Sequence, residues 1–582
     1  MELVFTILSL IVVLAETTKI ETSLGVLEGN RIGTFHSFKK IPFARAPIGK
    51  LRFQKPESPE KWEGILNAKE YGPACMSNSS ETTSPQKWVD EDCLHVNIFT
   101  SDKCLESKDC AVVFYLHGGE ILYDSAVMFN DSILIDTFAS RDVVLVIPAF
   151  RLGIFSHFTV QNQSIAPNNL GLFDIVRGLE FVKSEIRNFG GDNQKVTIFG
   201  HSYGGHIVST LQFSKRINTD LSLFQKTVSM STVVYFRTLE ENIENTKRFA
   251  GEANCLVPPD MKMKMTEDEQ DNFMMECLQK VDGMELLRIQ RKLEDEKFPL
   301  YEGLIIREPL IQEESIRELL ESSKNVPTLL GCTSLELDVY MAYHDVVKTM
   351  GYENQKECDE KFRKDKELKR YDFENHADET LAILAQTKLK VDTLLSKNIP
   401  TYLYEYSYPK HAVHTEDLSY LFGVHSFEKD ENEAHLANVY QEMFTNFVKT
   451  GEPGLGFEKT NKENSSYFNV FWNETTGEKP RMKNNFKAKI VKYWLGEMME
   501  FDRNVTEAKR LKKASKVPTM RFYSEISSDE QIPYMFISIF LISLIFITGC
   551  LFGKYCYNGE RDRNLYIRLD GNDHDWHSVK NF

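Results

Sequence analysis

Two glycines frame a serine in Gly200-His201-Ser202-Tyr203-Gly204, and a further glycine, Gly205, follows. A serine hydroxyl is a poor nucleophile until a base removes its proton, and that base needs a carboxylate to orient it. The chemistry on offer is attack on a carbonyl, with the acyl group carried on Ser202. The pattern G-x-S-x-G has this meaning where a strand enters it and a helix leaves it. Here the apolar run Val196–Phe199 precedes it and His206–Phe213, with helical character, follows. Reversing a strand into a helix over so few residues strains the serine backbone. It leaves no room for side chains two positions to either side, so glycine is required there. The helix N-terminus beyond the serine favours negative charge beside the hydroxyl.

The elements that must hold this turn are legible around it. Short β-type runs come first, at Gly25–Gly29, Leu94–Thr100, Ala111–Gly119 and Val143–Phe150. Apolar residues at Leu172, Ile175, Val176, Leu179, Val182 and Ile186 then recur at helical spacing, closed by Gly190 and Gly191. Lys195–Gly200 is strand again, Val326–Ser334 and Ile399–Tyr408 read as later strands, and Leu436–Val448 reads as an amphipathic helix. Strands alternating with helices, several of the strands apolar on both faces, predict an α/β fold around a large, mostly parallel, mixed sheet. No linker divides residues 16–510, which read as one domain, and 511–531, with scattered charge and Pro518, reads as a stalk.

The two ends have a different character. Met1–Ala15 is an apolar run before polar residues, the shape of a signal peptide, with Val13 and Ala15 suited to cleavage, although its start carries Glu2 and no Lys or Arg. Ile532–Gly553 contains no charged residue, and about 20 apolar residues cross a bilayer as a helix. Lys512, Lys513, Lys516 and Arg521 before it balance Lys554, Arg561, Arg563 and Arg568 after it, so basic residues do not set the orientation. The signal peptide does. It predicts a type I single-pass protein, with the globular part outside the cell or in a secretory or endolysosomal lumen and residues 554–582 as a cytoplasmic tail. Six glycosylation sequons, at Asn78, Asn130, Asn162, Asn464, Asn473 and Asn504, all precede the membrane span. Ten cysteines suit an oxidising compartment. A formal charge of −16 argues against a nucleic-acid partner, which needs a basic face.

Composition cannot choose a base and an orienting acid among 14 histidines and 85 acidic residues. A resemblance can. Lys39–Trp62 ("KKIPFARAPIGKLRFQKPESPEKW"), Glu91–Thr100 ("EDCLHVNIFT") and Phe189–Gly205 ("FGGDNQKVTIFGHSYGG") resemble, in order, the signatures of the type-B carboxylesterase and cholinesterase family, including its membrane-anchored nematode members. The resemblance implies an α/β-hydrolase fold and a small-molecule ester as substrate. It implies neither cofactor nor metal, and leaves a dimer open. By its register "LLGCTSLEL" nominates Glu336 as the acid and "AVHTEDLSYLFG" nominates His414 as the base, with His411 and His201 as neighbours outside the motif position. The oxyanion donors it implies are the backbone N–H groups of Gly119, Glu120 and Tyr203. Glu120 stands where the family has glycine or alanine, and Tyr203 where it has alanine, so a reshaped pocket and altered substrate choice are expected.

The same resemblance pairs Cys75 with Cys93 and Cys255 with Cys277, and makes Arg52 and Glu91 a structural ion pair. Cys104 and Cys110 are left as an optional small loop, and Cys332 and Cys358 are unassigned. The loop Met76–Asp92 is shorter than its cholinesterase counterpart. Trp88 falls outside the register of the choline-binding tryptophan and is expected to pack locally, so choline esters are not the expected substrates. Two readings follow. One is a membrane-anchored serine esterase that delivers its acyl group to water or to an alcohol or sugar hydroxyl. The other is a catalytically weak, cholinesterase-like adhesion protein, for which Glu120 is the main argument.

Overall fold

Apolar runs buried on both faces form the middle of a thirteen-stranded sheet. The computed structural model describes residues 16–77, 88–296, 304–312, 315–339, 346–371, 373 and 375–515. The expected signal peptide 1–15, Asn78, the stalk beyond Ser515, the span 532–553 and the tail 554–582 lie outside the described residues. The strands are β1 (Glu16–Thr22), β2 (Gly25–Ile32), β3 (Phe35–Pro42), β4 (Ile65–Asn67), β5 (His95–Ser101), β6 (Cys110–Leu116), β7 (Val143–Pro148) and β8 (Gly191–His201). They continue with β9 (Lys226–Met230), β10 (Phe236–Arg237), β11 (Leu304–Ile305), β12 (Thr328–Thr333), β13 (Thr401–Tyr406), β14 (Tyr467–Val470) and β15 (Arg481–Lys483).

The order across the sheet is β1-β2-β3-β5-β7-β6-β8-β9-β12-β13-β14-β15, with β4 beside β2 and with β10 and β11 paired separately. From β7 to β14 every neighbour is parallel, while β1, β2, β3 and β5 at one edge and β15 at the other run antiparallel. Every residue of β5, β6, β7, β12 and β13 is buried, so the middle of the sheet is covered on both faces. Register brings the carboxyl ends together: Leu116 of β6 lies opposite Gly200 of β8, and His201 opposite Met230 of β9. In such sheets ligands bind beyond these ends.

Helices cover the sheet in the places the periodicity predicts. Leu170–Glu185 buries Leu172, Ile175, Leu179 and Val182, and the chain turns out of it at Gly190, where a Cβ would sit 2.3 Å from the Cys104 carbonyl carbon. Glu431–Thr450 starts at a reciprocal cap between Asp430 and Glu433 and ends at Gly451 with φ 83°. Tyr203–Phe213, which leaves the nucleophile turn, is buried along its whole length. Its last carbonyls have no partner within the helix. Lys324 supplies one, donating from Nζ to Leu211 O at 3.0 Å and to Ser214 O.

The chain divides into two units, Met1–Thr506, which holds the whole sheet, and Glu507–Phe582. The helix Met499–Ser515 runs across the expected stalk boundary after Arg510. Residues 507–515, "EAKRLKKAS", are rich in strong helix formers, and that propensity outweighs their scattered charge. Among the described residues no helix is long and apolar enough to cross a membrane.

Cys75–Cys93 and Cys255–Cys277 are bonded, as the resemblance implies, and Cys104–Cys110 is a third bridge. Cys332 and Cys358 are free and buried. In the chain-entropy account a bridge closing 6 residues contributes about 2 kcal/mol and one closing 22 about 3 kcal/mol. The double variant Cys104→Ser, Cys110→Ser should therefore lower the urea midpoint of unfolding less than Cys255→Ser, Cys277→Ser. The reverse order in paired denaturation curves would contradict that account here.

Candidate active site

Ser202 leaves β8 with φ 54° and ψ −122° and opens the helix Tyr203–Phe213. Its own N–H donates to Met230 O at 3.0 Å, which ties the turn to the neighbouring strand. The glycines are sterically required. A Cβ at Gly200 would lie 2.2 Å from Gly204 O, one at Gly204 would lie 2.1 Å from Leu116 O, and one at Gly205 would lie 2.9 Å from Thr232 Cγ2. The hydroxyl is thereby presented at the carboxyl end of the sheet, above the N-terminus of a helix.

Glu336 follows β12 by three residues, takes φ 24° and is fully buried. Its Oε1 accepts the Thr333 N–H at 2.7 Å, and its Oε2 lies 2.7 Å from His414 Nδ1. The His414 backbone N–H donates to Glu336 O, also at 2.7 Å, so acid and imidazole are joined by main chain as well as side chain. His414 Nε2 lies 2.9 Å from Ser202 Oγ. The structure thus brings together three residues separated by 212 and 78 positions in the chain. An imidazole bonded on one nitrogen to a buried carboxylate and on the other to a hydroxyl is placed to take that hydroxyl's proton.

Beyond β6 the chain turns through Gly119 (φ 90°), Glu120 (φ 52°) and Ile121 (φ 62°). A Cβ at Gly118 would touch Ser202 Cβ at 3.1 Å, and one at Gly119 would sit 2.5 Å from Tyr123 O. The loop therefore lies against the nucleophile. Gly119 O closes the turn by accepting the N–H groups of Leu122 and Tyr123 at 2.8 and 2.7 Å, and Ile121 O accepts that of Gly153 at 2.8 Å. Glutamate at 120 occupies the left-handed region that glycine enters freely, at a cost of about 1–2 kcal/mol.

The profile of the Carboxylesterase family matches residues 16–494. The chain belongs to the carboxylesterase family. Membership makes it a carboxylic ester hydrolase by type. It is 27% identical over 525 residues to liver carboxylesterase 1F of Rattus norvegicus, covering 78% of this chain and 88% of that protein. It is 34% identical over 241 residues to gut esterase 1 of Caenorhabditis briggsae, a match spanning 41% of this chain and 42% of that protein. A solved Geobacillus stearothermophilus carboxylesterase superposes with TM-score 0.66 at 24% identity over 82% of this chain and all of its own, a likeness in fold.

Within this carboxylesterase site, His201 and Tyr203 flank the serine with bulk. His201 is buried, and its ring centre lies 4.8 Å from that of His414. Burial, then the nearby imidazoles of His414 and His425, hold its pKa well below the usual histidine value, so it stays neutral. His201 does not reach the hydroxyl as a base but backs the residue that does. Tyr203 is buried beside His206, with ring centres 5.2 Å apart, and burial pushes its phenol far up. His411 is turned elsewhere, stacked on Phe427 at 3.5 Å and bonded to Glu433. The indole of Trp88 is 48% exposed, which corrects the expectation of local packing; the residue is tied in through its carbonyl, which accepts the Ala74 N–H at 3.1 Å.

Two buried ionic features were not found by sequence reasoning. Arg52 and Glu91 form the expected pair, with Nε to Oε2 at 2.6 Å. Arg151 and Asp174 form a second, two-pronged pair at 2.8 and 2.7 Å that no motif announced. Asp417, three residues past His414, is fully buried and accepts the Tyr440 hydroxyl at 3.2 Å. Burial, then the negative charge of Glu336, raises its pKa from an ordinary 3.8 to about 7.

Asp417 keeps its proton to about pH 7 in the folded chain but releases it near 3.8 when unfolded. The stability linked to this group is therefore full at low pH and is lost as pH rises across that window. Asp417→Asn should flatten this part of the stability–pH curve, measured by urea unfolding between about pH 4 and 8. An unchanged slope would show that Asp417 does not carry it.

Proposed function

We propose that this chain hydrolyses carboxylic esters through an acyl-enzyme on Ser202. His414 Nε2 takes the Oγ proton as Oγ attacks the ester carbonyl, and Glu336 orients the imidazole and offsets its positive charge. The backbone N–H groups of Gly119, Glu120 and Tyr203 hold the oxyanion. His414 then gives the proton to the leaving alcohol. In the second half, His414 deprotonates water, or an alcohol or sugar hydroxyl, which attacks the acyl-serine; the acyl–Oγ bond breaks and His414 returns the proton to Ser202 Oγ. One observation supports this assignment above the rest: the continuous relay from Ser202 Oγ to His414 Nε2 at 2.9 Å and from His414 Nδ1 to Glu336 Oε2 at 2.7 Å. The adhesion reading rests on Glu120 and has no use for such a relay.

We place residues 16–510 as an ectodomain held at a membrane by 532–553, after removal of 1–15. Three disulfides and the exposed sequon asparagines Asn130, Asn464 and Asn504 support a secretory route, and Asn162 and Asn473 are partly exposed. Small uncharged acyl esters, rather than choline esters, are the proposed substrates.

The purified ectodomain should cleave a short-chain nitrophenyl ester and be labelled at Ser202 by a fluorophosphonate. Ser202→Ala should lose both, with kcat falling roughly 10⁴-fold or more. Folded wild-type protein that is neither labelled nor faster than Ser202→Ala would overturn the assignment. Running the reaction with an added sugar alcohol, and analysing products, separates transfer from hydrolysis.

A further inference from the structure

The backbone of Glu336 is the strained link of the relay: φ is 24° in a residue with a full side chain. Such a conformation costs about 1–3 kcal/mol and persists only where the surroundings over-determine it. On one side the histidine loop does so, since Leu335 N–H donates to Ala412 O at 3.1 Å and His414 N–H donates to Glu336 O at 2.7 Å. The other side is held by the N-terminus of the helix Asp378–Ser396, which no motif connects to the site.

Thr380 is fully buried in the first turn of that helix. Its Oγ1 accepts the Leu337 N–H at 3.0 Å and faces Leu335 O at 3.4 Å as donor. One hydroxyl thereby engages the peptides on both sides of Glu336. Asp338 makes a second tie. Its Oδ1 accepts the N–H of Ala377, the residue that caps the helix without a side-chain bond of its own, at 2.8 Å. Its Oδ2 lies 2.7 Å from His376 Nδ1, and its N–H donates to Leu335 O at 2.8 Å. A carboxylate at a helix N-terminus is also favoured by the helix dipole.

We propose that Thr380 and Asp338 are positioning residues for the reaction: a buckle that joins the acid loop to this helix and holds the Glu336 carboxylate in line with His414. The inference rests on the assignment of Glu336 above. Neither residue touches substrate. Their effect passes through the orientation of one carboxylate, and displacement of about 1 Å at such a position costs roughly 100-fold in rate. Loosening Glu336 weakens its hold on the imidazolium form of His414. The acid limb of the rate profile should then move to lower pH while substrate binding is left alone.

The test compares Thr380→Val, which keeps shape and removes the hydroxyl, with Thr380→Ser, which keeps the hydroxyl, and with Asp338→Asn, all in the ectodomain with a nitrophenyl ester. Thr380→Val is expected to lower kcat roughly 10- to 100-fold with KM within about twofold, and to shift the acid limb of kcat/KM downward. Thr380→Ser should recover most of the rate, and Asp338→Asn should act in the same direction more weakly. Thermal unfolding of each variant separates this from general loosening. Thr380→Val with wild-type kcat, with a change confined to KM, or with no rescue by serine overturns the buckle. Wild-type protein that fluorophosphonate does not label overturns the esterase assignment and the buckle with it. Normal wild-type labelling beside equally fast labelling of Thr380→Val overturns the buckle alone.

Discussion

A carboxylate with no solvent contact is the feature around which the site is arranged. Burying an ionised group without a partner costs several kcal/mol, and Glu336 is fully buried. Its oxygens meet the Thr333 N–H and His414 Nδ1, both at 2.7 Å. That charge is best compensated when the imidazole opposite carries a proton, which is the state His414 enters in the proposed reaction. The burial that is unfavourable in the resting protein thus favours the charged intermediate. Asp417 fits the same constraint. Two carboxylates in one dry region cannot both ionise without large cost, and the one without a basic partner in its bonding is held protonated to about pH 7.

Holding such a group requires a scaffold that does not yield, and the parallel sheet supplies it. The loops that converge all leave the carboxyl ends of the parallel strands: Gly118–Gly119 after β6, Ser202 after β8, Glu336 after β12 and His414 after β13. The β6–β8 and β8–β9 registers set the relative heights of the first two. Steric exclusion does the rest at the nucleophile, where Gly200 and Gly204 each bring backbone to a distance no Cβ tolerates. At the far end of the same helix, Lys324 satisfies carbonyls that would otherwise be buried without partners. The turn is thus fixed from both ends of one helix.

What could be read from the residues follows from the range of the interaction that specifies each feature. The Ser202 turn was legible because glycine sterics act within a few residues. Strands β6 and β7 were legible because burial on both faces demands unbroken apolar runs. The edge strand β1, with six polar residues out of seven, announced nothing. Glu336 and His414 came only through family register, since no local rule links residues 78 positions apart to a serine 212 away. Asp338 and Thr380 were invisible for a further reason: they act on backbone groups, and a hydrogen bond to a peptide leaves no residue-type signature at its partner. The Cys104–Cys110 bridge stayed open because neither spacing nor resemblance decided it.

The residues flanking the nucleophile show how charge is distributed about the reacting atoms. His201 lies against His414 yet is held neutral by burial. A carboxylate at that position would stabilise the imidazolium directly and raise the proton affinity of His414 before any substrate bound. A neutral imidazole contributes packing without that bias. Nε2 is then influenced from behind, through the bond between Nδ1 and Glu336. Tyr203, its phenol kept neutral by burial, adds bulk and no charge on the other side. The Glu336 carboxylate therefore sits behind the base, where it helps only once a proton has moved. That placement of charge serves the transition state more than the ground state, which is the condition for a side chain to accelerate a reaction rather than merely tighten binding.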